Sequence, residues 1–323
     1  MRDSSAGNIR EVVVTAGYRV HLGFYRFYDP PYIYGSLGVS LSNPRLTLRV
    51  SVKEGSGIQV TTPTEESRDL IRHILTSLDI NDISVTLNGY VEHHVGLGSK
   101  TRITMSLLRA LDALNLINVP IDVLARRFGV GSVSAVGMYS FIKGGFVADT
   151  GKLIVREEGP NLLLSLKVPE EWHVVLCIPQ DKRGLSEKEE EPILREVRPH
   201  PKQDALYTLF TRLVTAIPLR DYYTFARALT KLQVLTGEYF SKHQGGIFCC
   251  SESQEIAKIL EKSGALGVGQ SSWGPAVYGF VDGAAKAKHI ASEVIKLSRE
   301  VGIGANVMLS NVSAYGYQIV VRT

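Results

Sequence analysis

At 323 residues, with 44% hydrophobic side chains, the chain has the length of two ordinary domains and the composition of an ordered globular protein. Its 36 basic and 32 acidic side chains are interspersed and leave a net charge of +4, which argues against a nucleic-acid-binding tail but leaves room for a local cationic pocket. No apolar run reaches the roughly 20 residues that span a bilayer, and the start "MRDSSAGNIR" lacks the apolar core of a signal peptide, so the expectation is a cytoplasmic protein without a membrane partner.

"NIREVVVTAGYRVHLGF" alternates near its start, and "LTLRVSV" puts Leu46, Leu48, Val50 and Val52 on one face; both read as strands. Residues 65–79 carry a helical stripe at Leu70, Ile71, Ile74, Leu75 and Leu78, and "ISVTLNGY" returns to period two. A helix is predicted from Ser99 to Leu116, with Ile103, Leu107, Leu111 and Leu114 on one face, and a short one between Pro120 and Gly129. Arg126 and Arg127 read as the end of that helix, complementing its dipole. "LLLSLKVPEEWHVVLCIP" reads as two strands around a Pro-centred turn. The polar run "QDKRGLSEKEEEP" reads as a loop, either a change of domain or a flap over a site. Residues 202–240 are helical, and 246–323 read strand, helix, strand, strand, helix, strand, strand, a sheet with helices on one side. Ser251 and Gln254 suggest a capping box for the helix predicted at 252–263. Cys177, Cys249 and Cys250 have no metal-ligand or redox spacing and read as reduced, buried residues on strands.

Three segments carry chemistry. "HVGLGSK", at 94–100, is a glycine-rich turn feeding an amphipathic helix, the form that offers free backbone N–H groups and a positive dipole end to an anion. Such turns also serve as plain connections, so this stretch alone leaves both readings open. "GVGQSSWGPAVYGF", at 267–280, has small residues where a ligand can approach the backbone, and "FIKGGFVADTGK", at 141–152, joins paired glycines to Lys143 and Asp149. Three such segments far apart in sequence predict one cleft between two domains.

"HVGLGSKT" resembles the phosphate-loop motif of the GHMP kinase superfamily (galactokinase, homoserine kinase, mevalonate kinase, phosphomevalonate kinase), and "GQSSWGPAVYGF" resembles its C-terminal glycine motif. Within the superfamily the resemblance runs to a non-kinase branch, the archaeal β-ribofuranosylaminobenzene 5′-phosphate synthases of methanopterin biosynthesis. It is carried by "RVHLGF" (19–24), "GSLGVSL" (35–41), "HVGLGSKT" (94–101), "SAVGMYSFIKGGFVADTG" (134–151), "KHQGG" (242–246) and "GQSSWGPAVYGF". The resemblance implies an α+β, two-domain GHMP kinase-like fold: a ribosomal protein S5 domain 2-like N-terminal domain over 1–165 and a ferredoxin-like α/β sandwich over 166–323. It also implies a reaction of 5-phosphoribosyl 1-diphosphate with 4-aminobenzoate or 4-hydroxybenzoate, in which the anomeric carbon bonds to the ring carbon that bore the carboxylate and diphosphate and carbon dioxide leave.

Two departures bear on kinase against synthase. The kinases usually carry an Asp shortly before a Gly-Gly pair, whereas residues 131–145 here hold no acidic residue. A hydroxyl nucleophile without a positioned base forgoes the roughly 10²- to 10⁴-fold that general base catalysis supplies. Lys100 stands where the kinases have a second serine, and its charge suits a diphosphate leaving group or simply faces solvent.

The expected phosphate and substrate contacts are His94, Gly96, Leu97, Gly98, Ser99, Lys100, Thr101, Gln244, Gly269, Gln270, Ser271, Ser272, Trp273 and Gly274. The expected catalytic set is Arg19, His21, Lys143 and Asp149. Arg19 and His21 share one face of the first strand and suit an anion, against the plainer reading of a solvent-facing pair. His93 and His94 face opposite ways if extended, so one at most enters a cleft, and His94 is the better placed. Asp149 could hold Mg²⁺, stabilise a sugar cation, or merely cap the turn with Gly151. Lys143 suits a phosphate; Gln244 suits substrate, or its glycines only turn the chain. The indole of Trp273 suits an aromatic ring, against a core position beside Pro275. The glutamates at 187 and 189–191 ordinarily form a solvated face, yet the family's acidic residue downstream of a Gly-x-Ser matches Glu190 after Gly184 and Ser186. The partners expected are small-molecule substrates and a second copy in a homodimer, with Mg²⁺ as the one candidate cofactor and no nicotinamide, flavin or PLP. The rivals are an ATP-dependent small-molecule kinase and a catalytically silent binding protein.

Overall fold

The computed structural model describes residues 11–89, 92–156 and 159–322; the readings on residues 1–10, Tyr90 and Val91 lie outside them. The chain runs β1 (Glu11–Phe24), β2 (Tyr28–Asp29), β3 (Tyr32–Ile33), β4 (Ser36–Val52), β5 (Ile58–Thr61), α1 (Glu65–Ser77), β6 (Ile83–Asn88) and α2 (Ser99–Ala113). Next come α3 (Ile121–Arg127), α4 (Val136–Lys143), β7 (Phe146–Asp149), β8 (Lys152–Leu153), β9 (Leu162–Leu166) and β10 (Trp172–Pro179). The remainder is α5 (Glu187–Arg195), α6 (Gln203–Ala216), α7 (Tyr222–Gln244), α8 (Ser251–Lys262), β11 (Leu266–Gln270), β12 (Val277–Asp282), α9 (Ala284–Glu300), β13 (Ala305–Asn311) and β14 (Gln318–Arg322).

The first sheet has the order β14-β1-β4-β6-β5, with β7 beside β4 and β9 beside β7. Alternation in β1 turns Val12, Val14, Ala16, Tyr18, Val20 and Leu22 into the core, where α2 packs across β1 and β4. Arg102 of α2 is wholly buried and donates to the carbonyls of Gly17 (2.6 Å) and Gly137 (2.5 Å) and to Ser140 Oγ (2.9 Å). One guanidinium thus ties α2 to β1 and α4, and the start of α2 is held in place. The second sheet is antiparallel, in the order β11-β12-β10-β13. The expected boundary at 165/166 falls at the end of β9, and β14 crosses back to pair with β1.

Several expectations are corrected. The second sheet is covered on both faces: Val174 and Leu176 join the larger core with α7, while Val175 and Cys177 join a second core with α8 and α9. The uninterrupted apolar run of β10 is what a doubly covered strand requires. β9 and β10 are the two strands read on either side of the turn at Pro169, and they belong to different sheets. Residues 246–250 form bends instead of a strand, so Cys177 alone is strand-borne and buried, and Cys249 and Cys250 are half-buried ahead of α8. Cys250, not Ser251, caps α8. The polar run after β10 contains a helix, α5, with no buried residue; its capping box of Ser186 and Glu189 and three glutamates in its first turn hold it instead of packing.

Candidate active site

Two glycine segments meet directly. Gly96 (φ +88°) and Gly98 (φ +72°) take left-handed conformations that L side chains avoid, and Gly98 caps α2 with no side-chain hydrogen bond. A Cβ on Gly96 would lie 2.2 Å from the carbonyl oxygen of Ser271. Ser271 Oγ donates to the Gly96 carbonyl (2.6 Å) and accepts the backbone N–H of His21 (3.0 Å). Ala276 N–H donates to the Val95 carbonyl (3.1 Å). Gly184 completes the wall: its N–H donates to the His94 carbonyl (2.7 Å), and a Cβ there would lie 2.4 Å from the Gly274 oxygen.

Around this wall lie two connected chambers. The smaller, about 420 Å³, is lined by Gly96, Gly98, Ser99, Lys100, His93, His94 and Gly274. The larger, about 760 Å³, is lined by His21, Phe24, Tyr34, Gln233, Phe240, Gln244 and Gln270. Arg19, Thr101, Glu187, Glu190, Ser272 and Trp273 line both and mark the junction. Trp273 packs on Phe240 (4.7 Å between centroids), which meets Phe24 (5.9 Å), giving the larger chamber an aromatic wall.

The smaller chamber is cationic at its base. Arg19 is half-buried and donates from Nη1 to the Gly96 carbonyl (2.7 Å), while its Nε–H is buried with no hydrogen-bond partner among the described residues. Burial lowers its pKa to about 10, so it remains charged at neutral pH. α2 begins with no acidic residue in its first turn, so nothing on the helix itself neutralises its positive end. Each basic group faces a carboxylate: Lys100 pairs with Glu187, His94 Nε2 lies 3.1 Å from Glu66, and Arg19 is opposed by Glu190. Burial raises the Glu190 carboxyl to about 7 against the opposing pull of Arg19. Burial, then Arg19, lowers His21 to about 3, so its ring is neutral; Nδ1 accepts the Gly23 N–H (3.1 Å), which leaves the proton on Nε2.

The structure brings together Arg19, His21, His94, Gly96, Gly98, Ser99, Lys100, Thr101, Gln244, Gln270, Ser272, Trp273 and Gly274 as chamber-lining residues. It does not bring in the other five. Lys143 ends α4 exposed to solvent, and Gly144 and Gly145 pack on the backbones of Tyr315 and Leu166, so that glycine pair is a packing device. Asp149 is wholly buried and serves the fold: its oxygens accept the N–H groups of Ser36 (3.0 Å), Gly151 (3.0 Å) and Ala135 (2.8 Å) and the Ser36 hydroxyl (2.6 Å). Ser271 spends its hydroxyl knitting the wall, Leu97 is buried beneath it, and a Cβ on Gly269 would lie 2.4 Å from Gln233. His93 is buried, with Nε2 3.0 Å from Ser67 Oγ.

Sequence reasoning missed Gln233, Thr236 and Phe240, on the α7 face that closes the larger chamber. Their signal was present: Gln233 is a polar residue inside the buried stripe of an amphipathic helix, and its Oε1 accepts the Gln270 N–H (3.0 Å). Among the described residues no three His, Cys, Asp or Glu side chains are grouped to hold a metal ion. Carboxylates available to an ion in the chambers are Glu66, Glu187, Glu190 and Glu191. No helix of the described residues is long and apolar enough to cross a membrane.

This architecture is the GHMP kinase fold. It superposes on a homoserine kinase from Cytophaga hutchinsonii with a TM-score of 0.69 at 18% identity, covering 99% of this chain and 100% of that one. It superposes on a mevalonate diphosphate decarboxylase from Staphylococcus aureus with a TM-score of 0.63 at 14% identity, covering 97% and 98%. Residues 213–299 match the family described as GHMP kinases C terminal. By sequence, the chain is 25% identical over 279 residues to a β-ribofuranosylphenol 5′-phosphate synthase of Methanothermobacter thermautotrophicus, covering 77% of this chain and 82% of the relative. A protein of the same name from Archaeoglobus fulgidus is 24% identical over 264 residues, covering 77% and 80%.

Proposed function

We propose that the chain is a β-ribofuranosylphenol 5′-phosphate synthase-type phosphoribosyltransferase, joining 5-phosphoribosyl 1-diphosphate to 4-hydroxybenzoate with release of diphosphate and carbon dioxide. The observation that carries this reading is the buried Nε–H of Arg19, an unpaired cationic donor beside the uncapped start of α2. An unmade buried hydrogen bond costs about 1–3 kcal/mol, which a ligand oxygen would recover. The phenol in the relatives' name favours 4-hydroxybenzoate over 4-aminobenzoate.

In this reading diphosphate occupies the smaller chamber, held by Arg19, Lys100 and the amides that open α2, and the benzoate ring lies in the larger one against Trp273 and Phe240. The anomeric carbon then falls at the junction. Its bond to the diphosphate oxygen breaks with the electron pair leaving on oxygen, and fixed cations stabilise that charge. The ring carbon bearing the carboxylate supplies the pair for the new carbon–carbon bond. The phenol proton passes to Glu190, the junction carboxylate, so that oxygen can push charge into the ring. Loss of carbon dioxide returns the pair to the ring, and the phenolate takes its proton back. Neutral His21 presents Nε2–H as a donor to sugar or carboxylate oxygens. Mg²⁺ bound with the diphosphate would offset the leaving group's charge, and Glu187 is the carboxylate that would hold it, with Glu190 kept for the proton.

The ATP-dependent kinase is the second reading, favoured by the fold of the homoserine kinase. Incubating the protein with 5-phosphoribosyl 1-diphosphate and 4-hydroxybenzoate, with and without Mg²⁺, while following carbon dioxide and diphosphate, separates the two when run beside ATP consumption with candidate alcohols. Carbon dioxide release without ATP is the expected result. ATP turnover with no carbon dioxide from either benzoate overturns the synthase, and folded protein silent in both assays points to a binding protein.

A further inference from the structure

Cys249 and Cys250 lie behind the wall of the cleft and take no part in the chemistry above. Their Sγ atoms are 3.7 Å apart, with Ser253 Oγ 3.7 Å from the first and 3.2 Å from the second. Both are half-buried rather than sealed, unlike Cys177 in β10. Cys250 stands at the cap of the 12-residue α8, which no side chain caps by hydrogen bond, so a thiolate there faces a positive dipole end. The Cys249 thiol donates to the Cys250 sulfur and holds the Cys250 thiol below its ordinary range.

A direct disulfide is the poorer use of this pair. Consecutive Cα atoms are about 3.8 Å apart across a trans peptide, whereas relaxed disulfides span roughly 4.4–6.8 Å. An atom that bonds both sulfurs at once spares them that close approach. We infer that Cys249 and Cys250 form a dithiol site for a thiophilic ligand that takes two sulfurs, with trivalent arsenicals as the chemical class. The step is a condensation: an arsenic–oxygen group and two thiols give two arsenic–sulfur bonds and one water, and nothing is oxidised or reduced.

Loading the site reaches the cleft through short links. Cys249 N–H donates to Gln270 Oε1 (2.7 Å), and Gln270 Nε2 donates to the Ser272 carbonyl (3.1 Å) and to Gln244 Oε1 (3.2 Å). Gly274 abuts the same sulfur: a Cβ there would lie 2.6 Å from Cys249 Sγ. Drawing that sulfur aside therefore disturbs residues that line both chambers.

The test titrates the reduced, full-length protein with phenylarsine oxide. One arsenical per chain should protect two of the three thiols, and dithiothreitol should release it where an equal concentration of a monothiol does not. Replacing Cys250 with serine should weaken binding about 10²- to 10⁴-fold, the loss expected when a two-point attachment becomes one-point, whereas Cys177→Ser should leave it unchanged. Mass spectrometry of the wild-type adduct, which needs no variant to fold, should find arsenic on the peptide spanning residues 243–258. Release by monothiol, arsenic on Cys177, or full affinity in Cys250→Ser overturns the site. Inorganic diphosphate should bind the loaded protein more weakly than the free protein, and unchanged binding overturns the link to the cleft.

Discussion

Ser271 and Gly96, 175 residues apart, are joined by a 2.6 Å hydrogen bond from the Ser271 hydroxyl to the Gly96 carbonyl, and that bond makes one wall of two glycine segments. The same hydroxyl accepts the His21 N–H, so Ser271→Ala strands a buried donor at a cost of about 1–3 kcal/mol. Gly96→Ala should cost more, because its Cβ meets the Ser271 carbonyl and its φ of +88° is unsuited to alanine. Urea unfolding midpoints measure both. A neutral Gly96→Ala would show that the two segments are not in contact in solution.

Asp149 should behave as a structural anchor. Three backbone donors and the Ser36 hydroxyl converge on its carboxylate, which burial nonetheless raises to about 6. Asp149→Asn turns an amide NH₂ toward N–H groups, and breaking a buried charged network of this kind costs about 3–5 kcal/mol. Denaturant unfolding should show that loss while the fraction still folded keeps its affinity for inorganic diphosphate. Normal stability with abolished turnover would return Asp149 to the catalytic set.

How far the site was legible depended on whether its signals were local. β1, β4 and α2 declare themselves by period, and the phosphate loop by two glycines whose positive φ values open a helix. Asp149 caps the turn with Gly151, one of its two readings, while its further partners, Ser36 and Ala135, come from distant segments that no local spacing connects to it. The Gly144–Gly145 pair looked like a cradle because a glycine required by packing on Tyr315 is spelled the same way as one required by a phosphate. α5 was read as a loop because it buries nothing, and only its capping box betrays it. The junction itself, where Arg19 faces Glu190, unites β1 with α5 and is a product of tertiary structure alone.

Lys100 should contribute to anion affinity more than to stability. Its ion pair with Glu187 is exposed, and such pairs are worth about 0–1 kcal/mol. A phosphate in that place gains a charged hydrogen bond of about 1.5–3 kcal/mol, so Lys100→Ala should weaken inorganic diphosphate binding about 10- to 100-fold. Glu187→Gln, which removes the competing carboxylate, should tighten it at low ionic strength without Mg²⁺. Isothermal titration at two salt concentrations reads both effects, and a Lys100→Ala variant that binds like wild type would place the diphosphate elsewhere.

Glu190 gives the pH dependence its sign. Its carboxyl is raised to about 7, chiefly by burial, so the ionised form that accepts the phenol proton is the minority below that pH. kcat/KM with 4-hydroxybenzoate should climb as pH rises through about 7, and Glu190→Gln should lower turnover and flatten that limb. Stability runs the other way. A carboxyl whose folded pKa lies above its unfolded value of 4.5 favours the fold when protonated, so its contribution is full below pH 4.5 and is lost as pH rises through about 7. Wild type should therefore lose stability across the window in which it gains activity, and Glu190→Gln should lose the activity limb and the upper part of the stability slope, keeping the share of Asp149, which is raised to about 6. Parallel pH series of turnover and thermal midpoint measure the opposition, and an activity limb that survives in Glu190→Gln would assign the proton to another group.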